Sequence, residues 1–136
     1  MTVLDTSGIV DFLLGTGVAA EIEAMLTREG ALFAPDLLVF ETLAVLRREA
    51  ARGVVTASRA AGAVSVLGEI PLVLFPTLEL RERAWTLREN FRMADAIFIA
   101  LAEQLGMALA TKDLPLARQA AKHTEAAICL LQVEPS

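Results

Sequence analysis

Four acidic side chains in this sequence lie within or directly beside apolar segments, where an ionised carboxylate is costly. They are Asp5, Glu41, Asp95 and Asp113. Removing a charged carboxylate from water costs free energy, and gathering several of them adds mutual repulsion. Proteins accept that cost chiefly where the carboxylates bind a hard divalent cation, which takes oxygen ligands. The four residues are therefore the candidate site of this chain.

The positions of these acids predict that they converge. Asp5 ends the first apolar segment, and Asp113 follows the strand-like residues 108–111. Parallel sheets bind ligands beyond the carboxyl ends of their strands, so both acids should lie at that edge. Glu41 and Asp95 lie near the starts of two predicted helices and have apolar neighbours three and four residues away, which places them on the core-facing stripe. Glu103 meets the same criterion only in part.

The remaining metal-binding residue types restrict the choice of ion. The sequence has one histidine, His123, and one cysteine, Cys129, which excludes a zinc site of the usual kind. A set of oxygen ligands alone predicts Mg²⁺ or Mn²⁺. Such ions lower the pKa of bound water and hold phosphate oxygens. The chemistry that this set predicts is hydrolysis of phosphodiester bonds.

The apolar pattern predicts five short strands separated by helices. The predicted strands are residues 3–4, 31–34, 71–76, 108–111 and 126–133. The first predicted helix is capped by Thr6 or Ser7 and runs to residue 14, and the helix over residues 36–52 is capped by Asp36. The other predicted helices are 18–28, 56–67, 78–90, 94–106 and 114–122. Strands that are apolar throughout, rather than alternating, are typical of a parallel sheet covered by helices on both faces. The 136 residues are 55% hydrophobic and contain no repeat or linker, so we expect a single α/β domain over residues 1–136.

Composition also bears on location and partners. No apolar stretch is long enough to span a bilayer, and Asp5 is the first charge, so neither a membrane partner nor a secretory signal is expected. A lone cysteine cannot form an internal disulfide and fits a reducing cytoplasm. The net charge of −5 argues against a broad basic surface for nucleic acid. Arginines nevertheless cluster in two groups, which are either phosphate contacts or solvated helix faces: Arg47, Arg48, Arg52 and Arg59, and Arg81, Arg83, Arg88 and Arg92.

The segments around the four acids resemble those of the PIN domain family, a fold of metal-dependent ribonucleases. Asp5-Thr6-Ser7 after an apolar pair resembles the opening motif of that family. Residues 34–41, 95–103 and 111–113 resemble its later motifs in order, spacing and context. In size, and in having no appended domain, the chain resembles the VapC-type toxins of bacterial toxin–antitoxin pairs.

The resemblance implies a fold, an activity and partners. It implies a three-layer sandwich whose central parallel sheet has the strand order 3-2-1-4-5. It also implies endoribonuclease activity on RNA, a homodimer and a cognate antitoxin protein. By position, the acidic quartet that binds metal and carries catalysis is Asp5, Glu41, Asp95 and Asp113, and the hydroxyls that support it are Ser7 and Thr111.

Other interpretations of the sequence predict different functions. A protein of the same fold that acts only by binding an antitoxin-like partner would carry the same residues. Residues 15–20 fit the GxGxxA fingerprint of dinucleotide-binding proteins, but that motif requires a preceding strand, and residues 5–14 favour a capped helix. A receiver domain or a DxD phosphatase would need a second acid close to Asp5, where the sequence has Thr6 and Ser7.

Overall fold

A computed structural model of the protein describes residues 1–132, whose five strands form one sheet. The strands are β1 Thr2–Leu4, β2 Leu32–Pro35, β3 Leu72–Phe75, β4 Ala108–Thr111 and β5 Ile128–Leu130. The helices are α1 Thr6–Leu14, α2 Ala19–Glu29, α3 Leu37–Ala51, α4 Ala57–Leu67, α5 Arg81–Thr86, α6 Met93–Leu105 and α7 Leu114–His123, and a 3-10 turn spans Thr77–Leu80.

All the strand pairs are parallel, and the sheet order is β3-β2-β1-β4-β5. Val3 of the central strand β1 pairs with Phe33 of β2 on one side and with Leu109 of β4 on the other. Every residue of β1 is buried, as expected for a strand covered on both faces. The predicted α/β fold and the strand order implied by the resemblance are confirmed.

Helix α6 packs across the middle of the sheet, against β1, β2 and β4. It can do so because it is apolar on most of its circumference, and Ile99 and Leu101 are fully buried beside Leu109 of β4 in the same core. The helix begins at the carboxyl edge of the sheet, where β1 and β4 end side by side. Its first turn therefore brings Asp95 to that edge.

The predicted helix over residues 78–90 is wrong in its extent. The chain forms the 3-10 turn Thr77–Leu80 and the short helix α5, which ends at Thr86. The β-branched Thr86 donates its hydroxyl to the carbonyl of Arg83 at 2.6 Å. Such side-chain bonds to the preceding turn compete with the helical backbone pattern. The chain then turns and buries Phe91 before α6 begins.

Two predicted helix caps and the length of one strand also differ. Asp5, not Thr6 or Ser7, caps α1 by accepting from the Gly8 N–H. Asp36 precedes α3, but its carboxylate accepts from the backbone and hydroxyl of Thr77 instead of capping the helix. The last strand covers residues 128–130 of the predicted 126–133, and Val133 lies outside the described residues.

Within residues 1–132, no helix is both long and apolar enough to cross a membrane.

Candidate active site

The structure brings all four predicted acids into one open pocket at the carboxyl edge of the sheet. Asp5 follows β1 and Asp113 follows β4, and these two strands are paired in parallel, so their ends are neighbours. Glu41 enters from the second turn of α3 and Asp95 from the first turn of α6. Residues that are far apart in sequence therefore face a common space.

Asp5 is held by three donors. One carboxylate oxygen accepts from the Ser7 hydroxyl at 2.8 Å and from the Gly8 N–H at 3.2 Å, and the other accepts from the Thr111 hydroxyl. Burial raises the pKa of Asp5, and this outweighs the three hydrogen bonds, which lower it; repulsion from Asp113 raises it further. The side chain is fixed in orientation yet is costly to ionise.

Thr111 connects two of the acids. Its fully buried hydroxyl donates to Asp5 and accepts from the Asp113 N–H at 3.1 Å. Asp113 itself caps α7, because its Oδ1 accepts from the Leu116 N–H at 3.0 Å. Asp113 therefore stabilises a helix end in addition to lining the pocket. Ser7 and Thr111, which were predicted to support the quartet, both contact Asp5.

Asp95 has no capping role that would account for its position. The residue that precedes α6 is Arg92, and among residues 1–132 no side chain caps this helix. Asp95 is 24% exposed, and the Nε atom of Arg92, itself 84% exposed, lies 3.5 Å from its Oδ2. Burial raises the pKa of Asp95; Arg92 lowers it in part, while Asp113 and Asp5 raise it. Asp5, Asp95 and Asp113 line the same pocket, so the negative charges of these three carboxylates repel one another.

Glu41 is tied to the start of α1. The hydroxyl of Thr6, the first residue of α1, donates to Glu41 Oε1 at 2.7 Å. This bond joins α3 to the segment that carries Asp5. The orientations of Glu41 and Asp5 are therefore set by the two consecutive hydroxyl residues Thr6 and Ser7, together with Thr111.

Three charged residues of the pocket were missed from the sequence: Glu49, which pairs with Arg48 and Arg52, and the pair Asp11 and Lys112. The Nζ atom of Lys112 lies 2.8 Å from Asp11 Oδ2, and both side chains line the pocket with the four acids. Asp11 stands inside an apolar helix, as the four candidates stand in apolar segments, so the same criterion applied to α1 would have found it. No local pattern indicates its partner, which is 101 residues away.

Glu103, which met the sequence criterion in part, lies elsewhere. It is near the end of α6 and pairs with Arg83, whose Nε is 2.6 Å from its Oε1, and it also accepts from the Thr124 hydroxyl. The hydrogen bond from Arg83 lowers the pKa of Glu103. Its neighbours form a second cleft that contains none of the four acids. Because Glu103 has a fixed basic partner, its position in the fold is explained without a metal ion.

The donor set suits a hydrated divalent ion. Within residues 1–132, no three His, Cys, Asp or Glu side chains are close enough together to enclose a metal ion directly. Mg²⁺ seldom needs such a cage, because it keeps several waters and is bound through one or two carboxylates. The pKa values of Asp5 and Asp95 are raised by burial and by repulsion from neighbouring carboxylates, Asp113 in both cases, so both side chains gain from a nearby cation. The residues present therefore fit the predicted ion.

Removing the Thr111 hydroxyl should destabilise the fold. Thr111→Val keeps the shape of the side chain but leaves the Asp113 N–H and one Asp5 oxygen without this partner, which should cost about 1–3 kcal/mol in urea unfolding. Thr42→Val is the matched control, since Thr42 is also fully buried and its hydroxyl has no partner among the described residues. The control should be neutral or stabilising. Equal losses in both variants would contradict this role of Thr111.

Comparison with known proteins identifies the class. The PIN domain matches residues 2–122, so the chain belongs to the PIN domain family. Ribonuclease VapC3 of Mycobacterium tuberculosis is 33% identical over 117 residues, which are 85% of each chain. Ribonuclease VapC9 of the same organism is 34% identical over 85% of this chain and 88% of its own length, and ribonuclease VapC12 is 30% identical over 92% and 96%.

A solved structure agrees on the fold. The crystal structure of PAE2754 from Pyrobaculum aerophilum superposes with a TM-score of 0.67 at 23% identity, and the match covers 96% of this chain and 83% of that one. The family match and the VapC relatives confirm the resemblance that the sequence motifs carried.

Proposed function

We propose that this protein is an endoribonuclease that hydrolyses RNA phosphodiester bonds with Mg²⁺ or Mn²⁺ bound in the carboxylate pocket. The observation that carries the proposal is the meeting of Asp5, Glu41, Asp95 and Asp113 in one pocket, where the pKa values of Asp5 and Asp95 are raised. The relatives of this chain in Mycobacterium tuberculosis are named ribonucleases, which supports RNA as the substrate class.

In this proposal Asp5 and Asp95 would hold the ion directly, and Glu41 and Asp113 would complete the site directly or through water. When bound, such an ion lowers the pKa of a coordinated water and neutralises charge on phosphate oxygens. Positioning and charge stabilisation dominate this class of catalysis. The work of the chain is therefore to keep the carboxylates oriented and ionised.

Side-chain hydroxyls orient two of the carboxylates. Ser7 and Thr111 fix the two oxygens of Asp5, and Thr6 fixes Glu41. The Ser7 and Thr111 hydroxyls also favour the ionised form of Asp5, which a metal ligand requires. At the rim, the cationic side chains that offset the acidic charge are Arg48, Arg92 and Lys112. An RNA backbone that approaches the carboxylates would come close to these three cationic side chains.

We further propose that the protein is the toxin of a toxin–antitoxin pair, that it acts in the cytoplasm and that it forms a homodimer. Large apolar side chains that remain exposed on the single chain support protein partners: Phe40, Val54, Leu78 and Trp85. Phe40 and Val54 also line the carboxylate pocket. An arginine of an antitoxin segment bound there would pair with the carboxylates and compete with metal.

The activity is tested with two nucleic acids of the same sequence. The purified protein is incubated in Mn²⁺ with a labelled single-stranded RNA and with the matched DNA, and the products are separated by length. We expect internal cuts in the RNA and an intact DNA. If neither strand is cut over a panel of RNA sequences while the protein still binds a partner, the protein acts only by binding.

The assembly is tested by measuring mass in solution. We expect multi-angle light scattering to report twice the mass of the 14.6 kDa chain at tens of micromolar protein. The physical reason is burial of exposed apolar side chains, and substituting Phe40 with Ser or Trp85 with Ser should identify which surface contributes. A mass of one chain at high micromolar concentration would contradict the homodimer.

A further inference from the structure

The glycine-containing turn between α1 and α2 encloses the carboxylate of Asp11. Gly17 has φ +52, and a Cβ atom at this position would lie 2.1 Å from Asp11 Oδ2. The Val18 N–H donates to the same oxygen at 3.1 Å, and the Thr16 hydroxyl lies 3.4 Å from Oδ1. Residues 15–20, which fit the GxGxxA fingerprint, follow helix α1 and not a strand. They pack around the carboxylate of Asp11. Glycine is needed at position 17 because a side chain there would clash with the Asp11 carboxylate.

The enclosed carboxylate holds a cation in the pocket. Lys112 Nζ lies 2.8 Å from Asp11 Oδ2; the lysine side chain is 37% exposed, whereas that of Asp11 is only 11% exposed. An ammonium group has three donor directions, and among residues 1–132 Asp11 is the one hydrogen-bond acceptor that Lys112 uses. Lys112 also lies between Thr111 and Asp113 in sequence and lines the same pocket. The Lys112 ammonium group can therefore donate further hydrogen bonds to a ligand in the pocket.

Lys112 differs in this respect from the two arginines at the pocket rim. Arg48 is 61% exposed and lies 3.5 Å from its partner Glu49, and Arg92 is 84% exposed and 3.5 Å from Asp95. Exposed pairs of this kind are weak and leave long side chains mobile. The partner of Lys112 is buried and is itself fixed by the Val18 N–H. Of these three rim cations, Lys112 is the one held in a defined place.

We infer that Lys112 binds a phosphate of the RNA in the carboxylate pocket and that Asp11 is the positioning residue that aims it. The inference rests on the proposed ribonuclease function and names a substrate contact within it. Four carboxylates repel a polyanion, so a fixed ammonium beside them offsets that repulsion where the backbone of the RNA must approach. A buried acid, a glycine turn shaped around it and a half-exposed lysine are together explained by this role.

RNA binding without turnover tests Lys112. A fluorescein-labelled single-stranded RNA is titrated by anisotropy in chelator at several salt concentrations. Lys112→Met should weaken binding about tenfold at low salt and reduce the slope of log K against log salt by about 0.7, the value for one phosphate contact on a single strand. Lys112→Arg should keep the slope, because the charge is retained. Lys122→Met removes the only other lysine of the sequence, which lies at the second cleft, and should behave as wild type.

If Lys112→Met binds RNA with the affinity and salt slope of Lys122→Met, the inference is overturned. Asp11→Asn tests positioning, because an amide oxygen can still accept from the Val18 N–H and keep the turn folded but lacks the negative charge that holds the Lys112 ammonium. It should bind RNA at least as tightly as wild type, because a negative charge is removed, but lower kcat about tenfold. In a Lys112→Met background it should change kcat little. Equal losses in both backgrounds, or no loss in either, would refute the positioning role.

These outcomes are separable from the proposed activity. A wild-type protein that fails to cut RNA but shows the contrast between Lys112→Met and Lys122→Met would contradict the ribonuclease and support the phosphate contact. A protein that cuts RNA without that contrast would support the ribonuclease and overturn the phosphate contact.

Discussion

Asp95→Asn is expected to lower the turnover of RNA by about 10²–10³-fold while leaving RNA affinity unchanged or slightly higher. The substitution keeps the size of the side chain and removes one charge from a pocket in which three carboxylates interact. Loss of an interaction that matters in the transition state lowers kcat without a matching rise in KM. Single-turnover cleavage in Mn²⁺, together with binding measured in chelator, separates the two effects.

The same helix provides the control. Glu103→Gln also removes an acid from α6, but this acid pairs with Arg83 in the second cleft. Its turnover should stay within about twofold of wild type, and any cost should appear as stability, because Glu103 is only 21% exposed and also accepts from the Thr124 hydroxyl. Asp95→Asn cutting at the wild-type rate would remove Asp95 from the site. Equal losses in both variants would indicate a general effect of charge on α6.

The second large effect is on stability and its dependence on pH. Burial raises the folded-state pKa values of Asp5 and Asp95, so the native protein binds more protons than the unfolded chain between the ordinary carboxyl pKa and the raised values. The free energy of unfolding therefore falls as pH rises through that window. The cost is fully present above the raised pKa values and absent below the ordinary one. In chelator at neutral pH, Asp95→Asn should melt higher than wild type.

A divalent ion should reverse this order. An ion that binds only the native state adds about 2.7 kcal/mol when its free concentration is 100-fold above Kd. Wild type should therefore gain more from Mn²⁺ than Asp95→Asn does, and thermal melts of both proteins with and without Mn²⁺ measure the difference. If Asp95→Asn instead melts lower in chelator and responds equally to Mn²⁺, Asp95 is a structural residue.

Much of the site could be predicted from sequence because parallel topology places the ends of neighbouring strands at one edge. Asp5 and Asp113 follow β1 and β4, which pair, and helices α3 and α6, which begin at this edge, bring Glu41 and Asp95 within their first two turns. Apolar surroundings alone did not separate Glu103 from these acids. What separates it is the partner Arg83, 20 residues away, whose approach depends on how α5 packs on α6.

The features that sequence did not predict depend on contacts between distant or adjacent polar groups. Three consecutive residues at the start of α1 can each cap a helix, and the choice of Asp5 follows from where β1 ends. The pair of Asp11 and Lys112 forms across 101 residues, because the loop after β4 passes over the middle of α1. Neither arrangement has a periodicity or spacing that marks it in the chain.

The most direct measurement of the central claim is the reversal of RNA cleavage by metal removal. One sample of purified wild-type protein is incubated with labelled RNA after exhaustive chelation, and the same sample is assayed again once Mn²⁺ or Mg²⁺ exceeds the chelator. We predict no internal cuts in the first assay and full cleavage in the second, with Asp95→Asn deficient in both. Cleavage at the same rate before and after metal is restored would contradict a metal site built from these four carboxylates.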